Sequence, residues 1–220
     1  MNTLIVYAHQ ETGSFNHALY EKTLSVLKKR GDVIKTSDLY GMDFKAVAGR
    51  EDFTGTIPSG LINYMLEQQK AASENRFTED IKIEQEKLQW AELVILHFPI
   101  WWFSVPAILK GWFDRIMAAG VTWDFGKIYG DGLLRGKKGM CVATTGGPEE
   151  MYSKNGAHGT TINEVLYSVN HGTMAFCGME VLPPFVAFSV FQVGEEGRKK
   201  YLAEYEELLA NIDKIEPIRF

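Results

Sequence analysis

Short apolar runs alternate with amphipathic stretches along most of the chain, a pattern that predicts strands and helices in turn. Residues 4–8 (LIVYA) read as a first strand ending at His9. After the polar loop QETGS, a helix is expected from about Phe15 to Arg30, closed by Gly31. Residues 32–38 (DVIKTSD) read as a second strand. Residues 39–76, with Gly41, Gly49, Gly55 and Gly60, are expected to be irregular. Helical spacing returns at Ile81, Leu88 and Ala91, with the polar Gln85 on the same face, and LVILHF at 93–98 reads as a fully buried strand. Pro106 suits a first helical turn, and Ile108, Leu109, Trp112, Phe113, Ile116 and Met117 make an apolar face that Gly120 ends. A fourth strand lies in GKKGMCVATTGG, a helix in TTINEVLYSVNHGTMAF and a fifth strand in MEVLPPFVAF. Tyr201, Leu202, Tyr205, Leu208, Leu209 and Ile212 mark a closing helix. Strands alternating with helices predict an α/β fold: a doubly wound sheet of five parallel strands with helices on both faces.

In such a sheet, ligands bind beyond the carboxyl ends of the strands. Two stretches begin there: FPIWWFSVPAILKGWFDR at 98–115 and TTGGPEEMYSKNGAHG at 144–159. The first offers Trp101, Trp102 and Phe103 as a flat apolar wall; the second offers hydroxyls, glycine backbone, a phenol and an imidazole. A large, flat ring with polar edges suits that pair. The first loop, AHQETGSFN, has one glycine and so lacks the GxGxxG of a dinucleotide-binding unit. A phosphate loop also fails, because five residues separate Gly120 from Gly126 and Ile128 follows Lys127. Thr12, Ser14, backbone amides and a helix starting at Phe15 remain, and these can bind a pyrophosphate through the helix dipole. The flavodoxin-like strand order fits best.

Composition narrows the partners. A chain of 220 residues, 45% hydrophobic, can bury one full core, so residues 1–220 are expected to form one domain. With 23 basic and 28 acidic residues spread along the chain, no positive stripe exists for nucleic acid. The longest apolar run is too short to span a bilayer, and MNTLIVYAHQ reads as a strand and not as a signal peptide. The cytoplasm is the expected compartment. Cys141 and Cys177 lack ligand spacing and read as buried, reduced thiols.

Four segments, AHxExxSFNxA (8–18), SDLYxMxF (37–44), FPxxWFxVPAILKGWFxR (98–115) and TTGGxxxMYSxxGxHG (144–159), resemble the FAD-dependent NAD(P)H:quinone oxidoreductases of the DT-diaphorase type. The likeness runs from Met1 to about Pro217 and points to a bacterial member. It implies a homodimer with FAD at the subunit interface, reduced by NADH or NADPH and reoxidised by a quinone in the same pocket. It also implies roles for matching residues. His9, Phe15 and Asn16 would lie around the FAD pyrophosphate and ribose, and Arg198 and Leu202 near the adenosine. Ile100, Trp101, Trp102 and Phe103 would run along the isoalloxazine, opposite Thr144, Thr145, Gly146 and Gly147. Tyr152 and His158 would stand at the flavin's pyrimidine side as catalytic groups. Asn63 would reach the partner subunit's flavin, and Trp123, Asp124 and Phe125 would close the quinone and nicotinamide pocket, with both aromatic positions departing from the tyrosines of the animal enzymes. A metal site of one animal relative is not expected, since His171 is retained but Ala175 and Phe220 occupy its other two places.

Other functions compete with this one. FMN-dependent reductases of azo or nitro compounds share the fold, and the chain is also similar to bacterial flavoproteins that dock on a potassium-efflux transporter as regulatory subunits. A one-electron carrier is a further alternative, but the aromatic residues at 123 and 125 suit a substrate pocket better than a bare flavin edge.

Overall fold

The computed structural model describes residues 1–57 and 59–220. Its centre is a parallel sheet in which β1 (Asn2–Tyr7) pairs on one side with β2 (Val33–Asp38) and on the other with β3 (Leu93–Pro99). β4 (Lys138–Thr144) follows β3, and both β5 (Glu180–Val181) and β6 (Phe185–Ala187) pair with β4, giving the order β2-β1-β3-β4-β5. The chain thus leaves β1 in one direction and later crosses to its other side. That reversal opens a crevice at the carboxyl ends of β1 and β3.

Every residue of β3 is buried, as expected of a central parallel strand covered on both faces. Its alternate side chains enter two cores. Leu93 and Ile95 pack with Leu19 and Leu27 of α1 (Phe15–Arg30) and with Tyr205 and Leu209 of α7 (Gly194–Ala210). Val94, Leu96 and Phe98 pack with Ile81 and Leu88 of α3 (Glu79–Trp90) and with Leu109, Trp112 and Ile116 of α4 (Ala107–Ile116). The α1 boundaries match the expectation, with Ser14 as N-cap and a left-handed Gly31 closing the last turn.

Three expectations need correction. The single fifth strand is two short ones, because Pro183 and Pro184 have no N–H to offer the ladder. The helix expected over TTINEVLYSVNHGTMAF is broken into α5 (Ile162–Val165), α6 (Tyr167–Val169) and a π-helical turn (Asn170–Ala175), with buried Asn170 accepting a hydrogen bond from Cys141 Sγ at 3.2 Å. The irregular segment contains a further helix, α2 (Tyr64–Glu74), capped by the Asn63 side chain.

The remainder of that segment is organised by charge. Buried Asp52 accepts hydrogen bonds from Arg115 Nε (3.0 Å), Lys45 Nζ (2.8 Å), Tyr64 OH (2.7 Å) and the Gly49 amide (2.9 Å). Burial pushes its carboxyl up, but these donors outweigh it and hold the group below the usual range. Arg115 also donates to Asp80 and to the Lys45 carbonyl. Removing either buried charge would leave the other with one ionic partner, Lys45 for Asp52 or Asp80 for Arg115, and break the buried network.

His97, also in β3, is fully buried beside Thr23 Oγ1 (3.0 Å) and Tyr205 OH (3.5 Å). Burial pushes its pKa from 6.5 down to about 3, so the folded protein keeps this imidazole neutral where the unfolded chain would protonate it. Stability should therefore fall as pH drops below the ordinary imidazole value. In denaturant titrations from about pH 7 to about pH 4.5, His97→Gln should show a shallower acid-side decline than the parent. Equal slopes would exclude His97 as a source.

Candidate active site

The ladder between β3 and β4 continues past the strands, since the Ile100 amide donates to the Thr144 carbonyl at 2.9 Å. Immediately beyond, Trp101 and Ser104 exchange backbone hydrogen bonds of 2.9 and 3.0 Å around a two-residue turn. Its central residues, Trp102 and Phe103, have φ of 51° and 58°, the conformation of a type I′ turn. Asn-Gly is the usual occupant, and bulky aromatics are strained there. Among the described residues the Trp102 and Phe103 amides have no hydrogen-bond acceptor, and Trp102 is 98% exposed. Backbone strain of this kind tends to gather at ligand sites.

Opposite this turn, the Thr145 amide bonds to the Ala187 carbonyl, and the Thr145 hydroxyl donates to the Gly147 carbonyl at 2.7 Å, shaping the Gly146–Gly147 bend. Thr144 and Thr145 are themselves buried. The chain then coils back: the His158 amide donates to the Met151 carbonyl, and Gly156 passes so close that a side chain there would start 2.2 Å from the Glu150 carbonyl oxygen. This coil brings the Tyr152 and His158 rings to 4.7 Å, with Phe103 edge-on to His158 at 4.8 Å. Ile100, Trp102, Phe103, Gly147, Met151, Tyr152 and His158 line a cavity of about 290 Å³. Burial raises the Tyr152 phenol pKa, so at neutral pH the hydroxyl keeps its proton.

A larger hollow of about 540 Å³ lies by Tyr129, Arg135, His171, Glu180 and Phe220, near the amino ends of β4 and β5. It is far from the loops that carry the chemistry, so volume alone does not mark the site. His171 there stacks on Tyr167 and meets the Phe220 ring at 4.9 Å. No group of His, Cys, Asp or Glu among the described residues could hold a metal ion.

A third part of the crevice lies at the start of α1. Ser14 spends its oxygen on the His17 amide at 3.1 Å, and among the described residues the Phe15 and Asn16 amides have no backbone or side-chain acceptor. The first turn holds no acidic residue. Asn16 is 1% exposed, with both atoms of its side-chain amide unpaired, an arrangement that costs stability unless a ligand or water satisfies it. His9 Nδ1 accepts from the Glu11 amide, and burial lowers the ring's pKa; the neutral ring therefore carries its proton on Nε2. From α7, Arg198 donates to the Val190 carbonyl at 3.4 Å, while Tyr201, next to Leu202, meets the Phe15 ring at 6.4 Å.

The remaining expected residues lie apart. Asn63 caps α2 with its side-chain oxygen and is exposed. The Trp123 indole donates to the Met117 carbonyl at 3.2 Å, so its N–H is already used within the chain. Asp124 accepts from Gln69 Nε2 at 2.6 Å, and Phe125 is exposed. None of residues 123–125 lines the 290 Å³ cavity. Met151 does, and no role was expected for it; its place in the TTGGxxxMYS segment was the available signal.

An apolar wall, a glycine bend and a helix N-terminus around one switch-point crevice define a site of the flavodoxin kind. The chain belongs to the flavodoxin-like fold family, whose model matches residues 1–209. It is 45% identical over 98% of its length to the mouse ribosyldihydronicotinamide dehydrogenase [quinone], covering 93% of that protein. It is 39% identical over 99% of its length to the rat NAD(P)H dehydrogenase [quinone] 1, covering 79% of it. A structure from Klebsiella pneumoniae, provisionally named a quinone reductase, superposes with a TM-score of 0.92 at 35% identity, covering all of this chain and 88% of the other.

Relieving the strained turn tests its cost. Trp102→Asn, at an exposed position, should raise the unfolding midpoint of ligand-free protein by about 2 °C. An unchanged or lower midpoint in a thermal melt would show that the positive φ stores no strain.

Proposed function

We propose that this chain is an NAD(P)H:quinone oxidoreductase that uses FAD, works as a homodimer and acts in the cytoplasm. The observation that carries this reading is the cavity between the Trp102–Phe103 turn and the Gly146–Gly147 bend, with Tyr152 and His158 converging on it. FAD, when bound, would accept hydride from the reduced nicotinamide and pass it to a quinone.

The residues present fit such a group. Free amides at Trp102 and Phe103 can hold the polar edge of an isoalloxazine, while Trp101, Ile100 and the two aromatic side chains supply apolar surface. Thr144 and Thr145 shape the bend, and among the described residues beyond its chain neighbours only the Phe191 ring comes to 4.0 Å of where a Gly146 side chain would start. Tyr152 and His158 would donate hydrogen bonds, or a proton, at the pyrimidine edge, where charge develops on reduction. The unpaired Phe15, Asn16 and His9 donors suit a pyrophosphate at a helix N-terminus, with Arg198 and Leu202 toward the adenosine. Two buried, unpaired thiols accord with a reducing compartment, and among the described residues no helix is long and apolar enough to cross a membrane.

A second copy would complete the site. Trp102, Phe103, Phe125, Leu61 and Leu66 are exposed apolar side chains that a partner would cover. Asn63 and the 123–125 turn lie outside the cavity within one chain, so on this reading they serve the partner's flavin and substrate. Both substrates would use one pocket in turn, and initial-velocity plots should give parallel lines. Intersecting lines would require a ternary complex instead.

Tyr152→Phe and His158→Gln should each slow flavin reduction in stopped flow by roughly 10²-fold while the protein stays yellow. Full-speed reduction in both variants would remove their assigned roles. A second reading concerns the hydride donor. The 45% identity to a ribosyldihydronicotinamide dehydrogenase adds dihydronicotinamide riboside as a donor to set beside NADH and NADPH. Stopped-flow reduction with all three donors decides it, and faster reduction by NADH or NADPH would reject the riboside.

A further inference from the structure

Phe191 is a large apolar side chain left 85% exposed in the turn between β6 and α7, where solubility alone would favour a polar residue. The backbone beneath it is pinned. The Ser189 amide donates to the Gly147 carbonyl at 3.1 Å, the Val190 amide to the Thr145 carbonyl at 3.2 Å, and the Gln192 and Val193 amides close back on the Ser189 carbonyl. Ser189 takes a φ of 50° to make the turn. The Phe191 ring consequently borders the open space above Gly146, 4.0 Å from where a side chain there would begin. On its other side, Arg198 is tied to the carbonyl of the preceding residue, Val190, and Tyr201 of the same helix meets Phe15 at the α1 N-terminus. Phe191 therefore stands between the glycine bend and the cation at the start of α7, outside the 290 Å³ cavity where Tyr152 and His158 converge.

We propose that Phe191 is a specificity-determining residue: its ring is the wall against which the adenine of FAD stacks, and it selects the dinucleotide over FMN. This rests on the flavin reading above and deepens it. A planar base laid on an exposed phenyl ring removes apolar area of both from water, and the Arg198 guanidinium, tied to the neighbouring Val190 carbonyl, is a cation on the adenosine side. FMN ends before the adenine and would gain nothing from this ring.

The test is titration of flavin-stripped, full-length protein with FAD and with FMN, read by quenching of flavin fluorescence, for the parent, Phe191→Ala and Phe191→Tyr. Phe191→Ala should bind FAD roughly five- to a hundredfold more weakly, bind FMN as the parent does, and melt at the parent's temperature. Phe191→Tyr should restore FAD affinity. Unchanged FAD affinity in Phe191→Ala overturns the proposal while leaving the flavin reading intact. An equal loss for FAD and FMN also overturns it, because the ring would then serve the half the two flavins share. A parent protein that takes up neither flavin ends the flavin reading and this proposal together.

Discussion

Backbone hydrogen bonds that run on past the last residues of β3, β4 and β6 are the constraint on which everything else depends. Ile100 to Thr144, Thr145 to Ala187, Ser189 to Gly147 and Val190 to Thr145 stitch three departing loops into one surface. Loops normally owe their shape to their own turns and are mobile. Here the loops inherit the rigidity of a fully buried sheet, and a flat ligand needs that rigidity, because a wall displaced by an ångström no longer makes van der Waals contact.

Much of the architecture was legible because it follows from apolar periodicity. β3 is apolar at every position but His97 because both its faces are covered, and α4 shows its core face plainly. α2 escaped because, beside Ala71, its buried positions are polar: Glu67 pairs with Arg76 at 2.7 Å and Gln68 donates to the Asp114 carbonyl at 2.9 Å. Tertiary partners satisfy those groups, and a hydrophobicity pattern cannot register that. Prolines 183 and 184 announced the break in the last strand, but strand-forming residues on both sides masked it.

The site was legible in its residue types and not in its geometry. Trp102 and Phe103 adopt a turn whose usual marker is Asn-Gly, so nothing local forecast their positive φ. The nearness of Tyr152 to His158 depends on a coil that only Gly156 permits. Phe191 stands among other apolar residues (FVAFSVFQV, 185–193) with nothing local to set it apart, and its significance arises from hydrogen bonds made by its neighbours to residues more than forty positions away. Residues 123–125 spend their polar groups on Met117 and Gln69, a use that spacing along the chain does not encode.

The two outer strands of the sheet carry a consequence for solubility. An open edge presents unpaired amides and carbonyls that can recruit strands from neighbouring molecules and seed fibrils. At one margin β2 holds Lys35 against the Trp90 ring at 4.5 Å, placing a cation on the exposed strip. At the other, the Pro183–Pro184 interruption leaves segments of two and three residues, too short to template an intruder. The same prolines that spoil a regular ladder thereby guard a strongly apolar sheet against runaway self-association.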